Sequence, residues 1–501
     1  MRQLTALDQQ FLALEDSRNH GHVGALSTFD PSTAPGGEVT LPKLQSLIAE
    51  RLPLVPPYRW RLVDVPLNLD YGYWIDDPDF DLEFHVRELA LSPPGTDAQL
   101  AEQVARIHAR PLDRSRPLWE LYLIHGLPNH RIGVLSKIHH ALIDGISGAE
   151  IMGALFDLTP EGREAPPPLP DSGDRRPGEL EMLARGALGV PRYPLRLLRS
   201  VPRALPNIDE VPQLAAIPGL TAAGRVAATA RRALGRGRVV GHVHLTPPRT
   251  PFNGRISPHR RYAFGQLSLA EVKALKNEYG CTVNDVVVAI SAGAVRSWLI
   301  EHDELPAEPL VAQIPVSVRR TEELGTYGNR ILLMTAPLYT EIHDPVERLH
   351  KTHEALAEMK ERYRALPADL LQDANQFVPP ALFSRAASLT FSLSVSRAGR
   401  PAWNLVISNV PGPQTPLYNA GARMEANYPI SVITDGMGLN ITVMSYCGHL
   451  DLGIVADREQ MPDVWSLIGW LGEALEELRP PAAPTTAPQE PDEIAKMPTD
   501  G

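Results

Sequence analysis

Residues 161–258 divide the chain. The run PEGREAPPPLPDSGDRRPGE, beginning at Pro160, is too rich in proline to continue a helix or a sheet ladder. It leads into arginine-studded apolar pieces, YPLRLLRSVPRALP and GRVAATARRALGRGRVV. On both sides of this interruption, segments with strand-like alternation and segments with helical spacing follow one another. The expected fold class is therefore α/β, with mixed sheets and helices in two domains at 1–160 and 259–479. Residues 161–258 form a crossover with amphipathic helices, and 480–501 form a disordered tail. A length of 501 residues independently favours two cores over one.

In the first half, LTALDQQFLALED reads as a helix and HVGALSTFD as a strand. TLPKLQSLIAERL is a helix with Thr40 as its N-cap and Pro42 early, and Thr96 caps TDAQLAEQVARIHARPL. LWELYLIHGL and RIGVLSKIHH are strands joined at PNH, and GISGAEIMGALFDL is a helix. In the second half, strand RRYAFGQLS leads into a helix capped by Ser268 and closed by Gly280. A helix over TVNDVVVAISAGAVRSWLI follows, then strands EPLVAQIPVSVR and NRILLMTAPLY and the helix DPVERLHKTHEALAEMKER. Strand AWNLVISNVPG, a hairpin over GMGLNITVMSYCGHLDLGIVAD and a last helix over MPDVWSLIGWLGEALEELR complete the pattern.

A formal net charge of −11 argues against a protein that coats nucleic acid. Only Cys281 and Cys447 are present, so a disulfide framework is not expected. The N-terminus has no apolar h-region. No uninterrupted apolar run reaches the roughly 20 residues that span a bilayer. The expectation is a cytoplasmic protein, soluble or peripherally attached. The basic crossover reads either as solvated helices or as a surface resting on anionic lipid.

The densest chemistry lies in GVLSKIHHALIDGISGAEIM, residues 133–152. Consecutive strand residues point to opposite faces, so His139 and His140 cannot readily chelate one ion. No third ligand stands at a recognisable spacing, and a metal is not expected. A glycine at 145 permits a sharp turn, which can present one imidazole to a cavity while an acid supports the loop behind it.

HHALIDG matches the HHxxxDG signature of the CoA-dependent acyltransferase superfamily. Other segments resemble one branch of it, the bacterial wax ester synthase/diacylglycerol acyltransferases. These are LTALDQQFLALED, Pro117-Leu118-Trp119, TPFNGRISPHRR, Asn284-Asp285, PVSVR, Gly328-Asn329-Arg330, ISNVPGP and GMGLNITVMSY. The resemblance runs from about residue 4 to about residue 478. It implies two chloramphenicol-acetyltransferase-like domains with the active site in a tunnel between them. The implied reaction moves a long-chain acyl group from acyl-CoA to diacylglycerol, or to a long-chain alcohol, at a membrane or lipid-inclusion surface. Neither a metal nor a resident cofactor is expected, since acyl-CoA is itself a substrate.

The resemblance gives the general-base role to His140, with His139, Asp144 and Gly145 as motif support. Asp144 is expected to hold the loop through an arginine or backbone contacts. Asp285 stands three residues after Thr282, close to a capping box, and has an even claim as cap or site residue. Asn284, at the same helix start, could position substrate or the tetrahedral oxyanion, and Ser408 and Asn409 are weaker candidates for that duty. Trp119 reads mainly as core packing. Two other readings remain: a condensation-type enzyme with a different acceptor, and a non-catalytic lipid-surface protein.

Overall fold

The computed structural model describes residues 1–143, 148–167, 175, 177–189, 245–317, 331–364 and 401–480. Asp144 and Gly145, the two arginine-studded pieces, Gly328-Asn329-Arg330 and the tail 481–501 lie outside the described residues.

The first half contains strands β1 (Arg2–Gln3), β2 (His22–Asp30), β3 (Trp60–Val63), β4 (Tyr73–Asp76), β5 (Val86–Ala90), β6 (Trp119–His125) and β7 (Ile132–His139). Its helices are α1 (Ala6–Ala13), α2 (Leu41–Arg51), α3 (Leu82–His85), α4 (Asp97–His108), α5 (His140–Ile143) and α6 (Gly148–Leu155). Helix α7 (Glu179–Gly189) lies within the stretch read as crossover. The second half adds β8 (Arg260–Ser268), α8 (Leu269–Glu278), α9 (Val283–Glu301), β9 (Leu310–Ser317), β10 (Ile331–Leu338) and α10 (Pro345–Arg364). It ends with β11 (Leu405–Val410), β12 (Tyr418–Asn419), β13 (Ala422–Ile430), β14 (Leu439–Tyr446), β15 (His449–Asp457) and α11 (Ser466–Glu477).

Among the described residues, two six-stranded sheets carry the fold, ordered β12-β13-β2-β7-β6-β5 and β10-β9-β11-β14-β15-β8. Both are mixed: β5 runs parallel to β6 in the first, and β11 runs parallel to both β9 and β14 in the second. A small sheet, β1-β4-β3, lies beside the first.

The sheets do not follow the division read from the sequence. Strands β12 and β13 belong by position to the second half, yet β13 pairs antiparallel with β2 and extends the first sheet. Residues assigned to the end of the crossover also pack elsewhere: Phe252 is fully buried in the core under the second sheet. Hydrophobic pattern can show that a segment is a strand. It cannot show which sheet's edge that strand completes.

The exchanged strand makes the join between the halves. One core cluster draws Leu26 and Val104 from the first half together with Tyr262, Phe264, Tyr428 and Val455 from the second. Asn427 N–H donates to Asp451 Oδ2 at 2.6 Å, and Tyr262 O–H to the Tyr428 carbonyl at 3.2 Å. At Gly453, a Cβ would stand 1.7 Å from the Pro429 carbonyl oxygen, so only glycine lets β15 approach β13 this closely.

Local signals also hold in detail. Thr5 and Asp8 close a capping box on α1, as do Thr96 and Gln99 on α4. Thr40 occupies the N-cap position of α2, but its side chain makes no capping bond. Gly280, at φ +64°, takes the left-handed position after α8. Helix α9 is long and apolar enough by composition to cross a membrane, but 72% of its apolar window is buried. It is the central core helix of the second half.

Candidate active site

Strand β7 delivers the histidine pair. His139 is its last residue, in register with His22 of β2, and its N–H donates to the Leu118 carbonyl at 2.9 Å. The Pro117-Leu118-Trp119 segment thus supports the site through its backbone. Its Trp119 ring is core: 1% exposed, stacked on Tyr58 and His85, with Nε1 donating to the Tyr58 carbonyl at 2.7 Å.

At His140 the chain turns into α5, and the two imidazoles part. His139 is 1% exposed, whereas His140 is half-buried. The His140 N–H donates to the Gly21 carbonyl at 2.7 Å, and its ring stacks on Phe11 of α1, 4.1 Å between centroids and 19° from parallel. His140 Nδ1 is buried.

Behind the pair lies a buried polar cluster. His139 Nδ1 accepts the Ala141 N–H at 3.1 Å, which places the ring proton on Nε2. That Nε2 lies 3.1 Å from Glu15 Oε1, an oxygen that also accepts the Gly21 N–H at 2.9 Å. Arg114 closes on Glu15 Oε2 at 2.7 Å. Burial alone would raise the Glu15 pKa, but its contacts with His139, the Arg114 guanidinium and the Gly21 N–H hold it at about 2. Burial, reinforced by the Lys137 charge, pushes His22 and His108 well below the usual imidazole range. Lys137 donates to the Ile107 carbonyl at 3.0 Å and to that of Arg110, and burial lowers its pKa to about 8.

Glu15, His20 and His22 each offer one ligand atom within 4.8 Å of the others. A divalent cation there would have to compete with Arg114 for the carboxylate and face the Lys137 ammonium. Those charges favour a hydrogen-bonded support over a metal centre.

The remaining sequence candidates lie elsewhere. Asp285 and Thr282 form the capping box of α9, and the Asp285 Oδ2 that accepts the Thr282 N–H also lies 2.7 Å from His353 Nδ1. Asn284 is half-buried in the first turn of that helix, and Ser408 and Asn409 are half-buried near the end of β11. Among the described contacts, none joins these residues to His140. Two cavities, about 550 and 470 Å³, are lined by residues such as Arg61, Asp64 and Arg114, not by His140.

The capping reading is tested by Thr282→Ala, which should destabilise the fold by about 1 kcal/mol in urea titration while leaving KM values unchanged. A changed acceptor KM would put this helix start in the binding site instead.

Sequence reasoning passed over Phe11, Glu15, His20 and His22. Glu15 stood inside a quoted segment, but nothing in its local pattern distinguishes a buried acid from a solvated one. The i, i+2 spacing of His20 and His22 was the available signal, since it places both on one face of an extended segment.

The overall fold is shared with peptide-synthetase condensation domains. The first condensation domain of the CDA synthetase superposes with a TM-score of 0.52 at 15% identity, over 96% of this chain and 97% of its own. The chain belongs to the wax ester synthase/diacylglycerol acyltransferase family. The model described as the "Wax ester synthase/diacylglycerol acyltransferase catalytic domain" matches residues 4–287, and the family's C-terminal domain matches 327–479. A Mycobacterium tuberculosis protein that carries the name "Putative diacyglycerol O-acyltransferase" is 36% identical over 480 residues, covering 95% of this chain and 90% of its own. Another from the same species is 32% identical over 498 residues, covering 98% and 99%. The wax ester synthase/diacylglycerol acyltransferase of Marinobacter aquaeolei superposes with a TM-score of 0.65 at 29% identity, over 95% of this chain and 98% of that one. The chain is an acyltransferase.

Proposed function

We propose that the protein transfers a long-chain acyl group from acyl-CoA to the free hydroxyl of diacylglycerol, with His140 as general base. The observation that carries the assignment is the parting of the two imidazoles. His139 is locked in the interior, while His140 is half-buried with Nδ1 turned inward, so the substrate-facing role is assigned to Nε2.

In this reaction the acceptor O–H gives its proton to His140 Nε2 as the oxygen attacks the thioester carbonyl, forming a C–O bond and a tetrahedral oxyanion. The oxyanion then collapses, the C–S bond breaks, and the imidazolium returns its proton to the departing thiolate. A thiol of pKa about 8–9 leaves readily, so direct transfer needs no acyl-enzyme and no resident cofactor. We assign His139, Asp144 and Gly145 to support of the base. Asn284, with Ser408 and Asn409 as weaker partners, is assigned to the oxyanion or the acceptor, since a helix start is positively polarised. Asp285 serves as cap.

A fatty alcohol presents the same nucleophile, so wax ester formation is a second activity of the same site. The protein works at a cytoplasmic membrane or lipid-inclusion surface, held there by the basic segment 192–238.

Purified protein supplied with radiolabelled palmitoyl-CoA should make triacylglycerol from diacylglycerol with a higher kcat/KM than it makes wax ester from hexadecanol. The reverse order would make it a wax ester synthase first, and neither product would overturn the reading. Deleting residues 192–238 should abolish flotation with anionic liposomes. Unchanged flotation would remove that segment's proposed role.

A further inference from the structure

We infer that Glu15 and Phe11 are positioning residues for His140: one buried carboxylate clamps the backbone of the catalytic turn, and one aromatic ring fixes the plane of the imidazole. The inference rests on His140 being the base.

The clamp has two arms, both starting at Glu15 Oε1. The first runs through the Gly21 N–H at 2.9 Å, and the Gly21 carbonyl then accepts the His140 N–H at 2.7 Å. The second is a close polar contact rather than an aligned hydrogen bond: His139 Nε2 lies 3.1 Å from Oε1, and His139 Nδ1 accepts the Ala141 N–H at 3.1 Å. The amides of residues 140 and 141 are thus both tied to one side chain. The other oxygen is held by Arg114, which also donates to the Leu12 carbonyl at 2.7 Å and so fastens the carboxylate to the end of α1. There is little slack, since a Cβ on Gly21 would meet His139 Nε2 at 3.1 Å.

Phe11, on α1 itself, stacks on the His140 ring at 4.1 Å. The helix that carries the stacking ring therefore also leads into the carboxylate. Backbone and side chain of the base are referenced to one element.

Glu15→Gln isolates the effect. The carboxamide keeps the size of the side chain and one acceptor oxygen. Its NH2 must then face either the Arg114 guanidinium or the His139 Nε2–H, donor against donor. One arm or its anchor is always lost.

A misplaced base costs turnover rather than binding, and displacements of about 1 Å cost on the order of 10²-fold. The expected result for E15Q is a kcat lower by roughly 30- to 100-fold, with KM for palmitoyl-CoA and diacylglycerol changed less than about 3-fold. Phe11→Leu should lower kcat by roughly 3- to 10-fold, again without a KM change. Because Glu15 acts in part through His139, E15Q combined with His139→Asn should be far less harmful than the product of the two single effects.

An E15Q enzyme with wild-type kcat overturns the inference, as does a loss confined to KM or full multiplicativity with His139→Asn. If E15Q does not fold, Arg114→Gln removes the anchor while leaving the carboxylate in place, and wild-type kcat there has the same force. His140→Ala is assayed alongside. Full activity in that variant would refute the general-base reading and this inference with it. An inactive His140→Ala beside a normal E15Q refutes the inference alone.

Discussion

His140→Ala lowers kcat for triacylglycerol formation by roughly 10²–10⁴-fold, the range expected when a positioned proton acceptor is removed. KM for both substrates should stay near the wild-type values, because the imidazole acts on the proton in flight rather than on the bound ground state. A residual rate should persist, since the bound thioester and hydroxyl still meet and thiolate is a competent leaving group. Two accompanying signs separate loss of a base from loss of structure. The acid limb of the wild-type kcat–pH profile, where imidazole becomes imidazolium, should disappear in the variant. Stability should fall by only about 1 kcal/mol, from the lost stacking on Phe11, because His140 is half-buried and carries no core packing. Neutral lipid formed at the same rate by both proteins would sink the mechanism. A variant with normal kcat and a raised KM would make His140 a binding residue.

How much of this was legible in the sequence depends on what each feature rests on. Helices and strands with regular periodicity appear where the pattern places them: β2 is the segment HVGALSTFD, and α4 begins after Thr96. The parting of the histidines was legible only in outcome: strand alternation predicts it, but β7 ends at His139 and the turn into α5 at His140 is what separates the rings. The exchange of β13 into the first sheet was not, since pairing partners 400 residues apart in sequence leave no mark in either strand's own pattern. The Glu15 cluster was hidden for the same reason. Its members come from the end of α1, from the approach to β2, from β7 and from the segment before β6, and only the fold brings them together. Short irregular elements were also missed. Strands β3 and β4 have four residues each, too few to show a period.

The protein should lose stability steeply between pH 6.5 and 5, by roughly 3–6 kcal/mol, before any carboxylate reaches its ordinary pKa. The cause is the set of imidazoles that folding keeps neutral. Burial lowers His22 and His108 well below the ordinary value of 6.5 and lowers His85 to about 4. All three are buried in the fold, so solvent screens them little. Because these folded-state pKa values are depressed, the unfolded chain binds more protons once the pH drops below about 6.5. The stability these groups contribute is fully present above that pH and is lost below it, at up to about 1.4 kcal/mol per pH unit for each group. His85 stops contributing near pH 4, while His22 and His108 continue. Lys137 does not confound the window, because its charge state is settled above it, near pH 8 in the fold. Glu15 extends the loss at lower pH, since its pKa of about 2 lies below the unfolded value of 4.5. Urea midpoints at pH 7.5, 6.5 and 5.5 read the slope directly, and His22→Asn should reduce it by about 1.4 kcal/mol per pH unit. Equal stability at all three pH values would mean that water or a counter-charge reaches the cluster. The consequence for function is specific, because two of these residues, His22 and His108, lie in the cluster behind the catalytic turn. Activity should fall on acidification more steeply than one titrating base allows, and the excess should vanish in urea-free assays short enough to outrun unfolding.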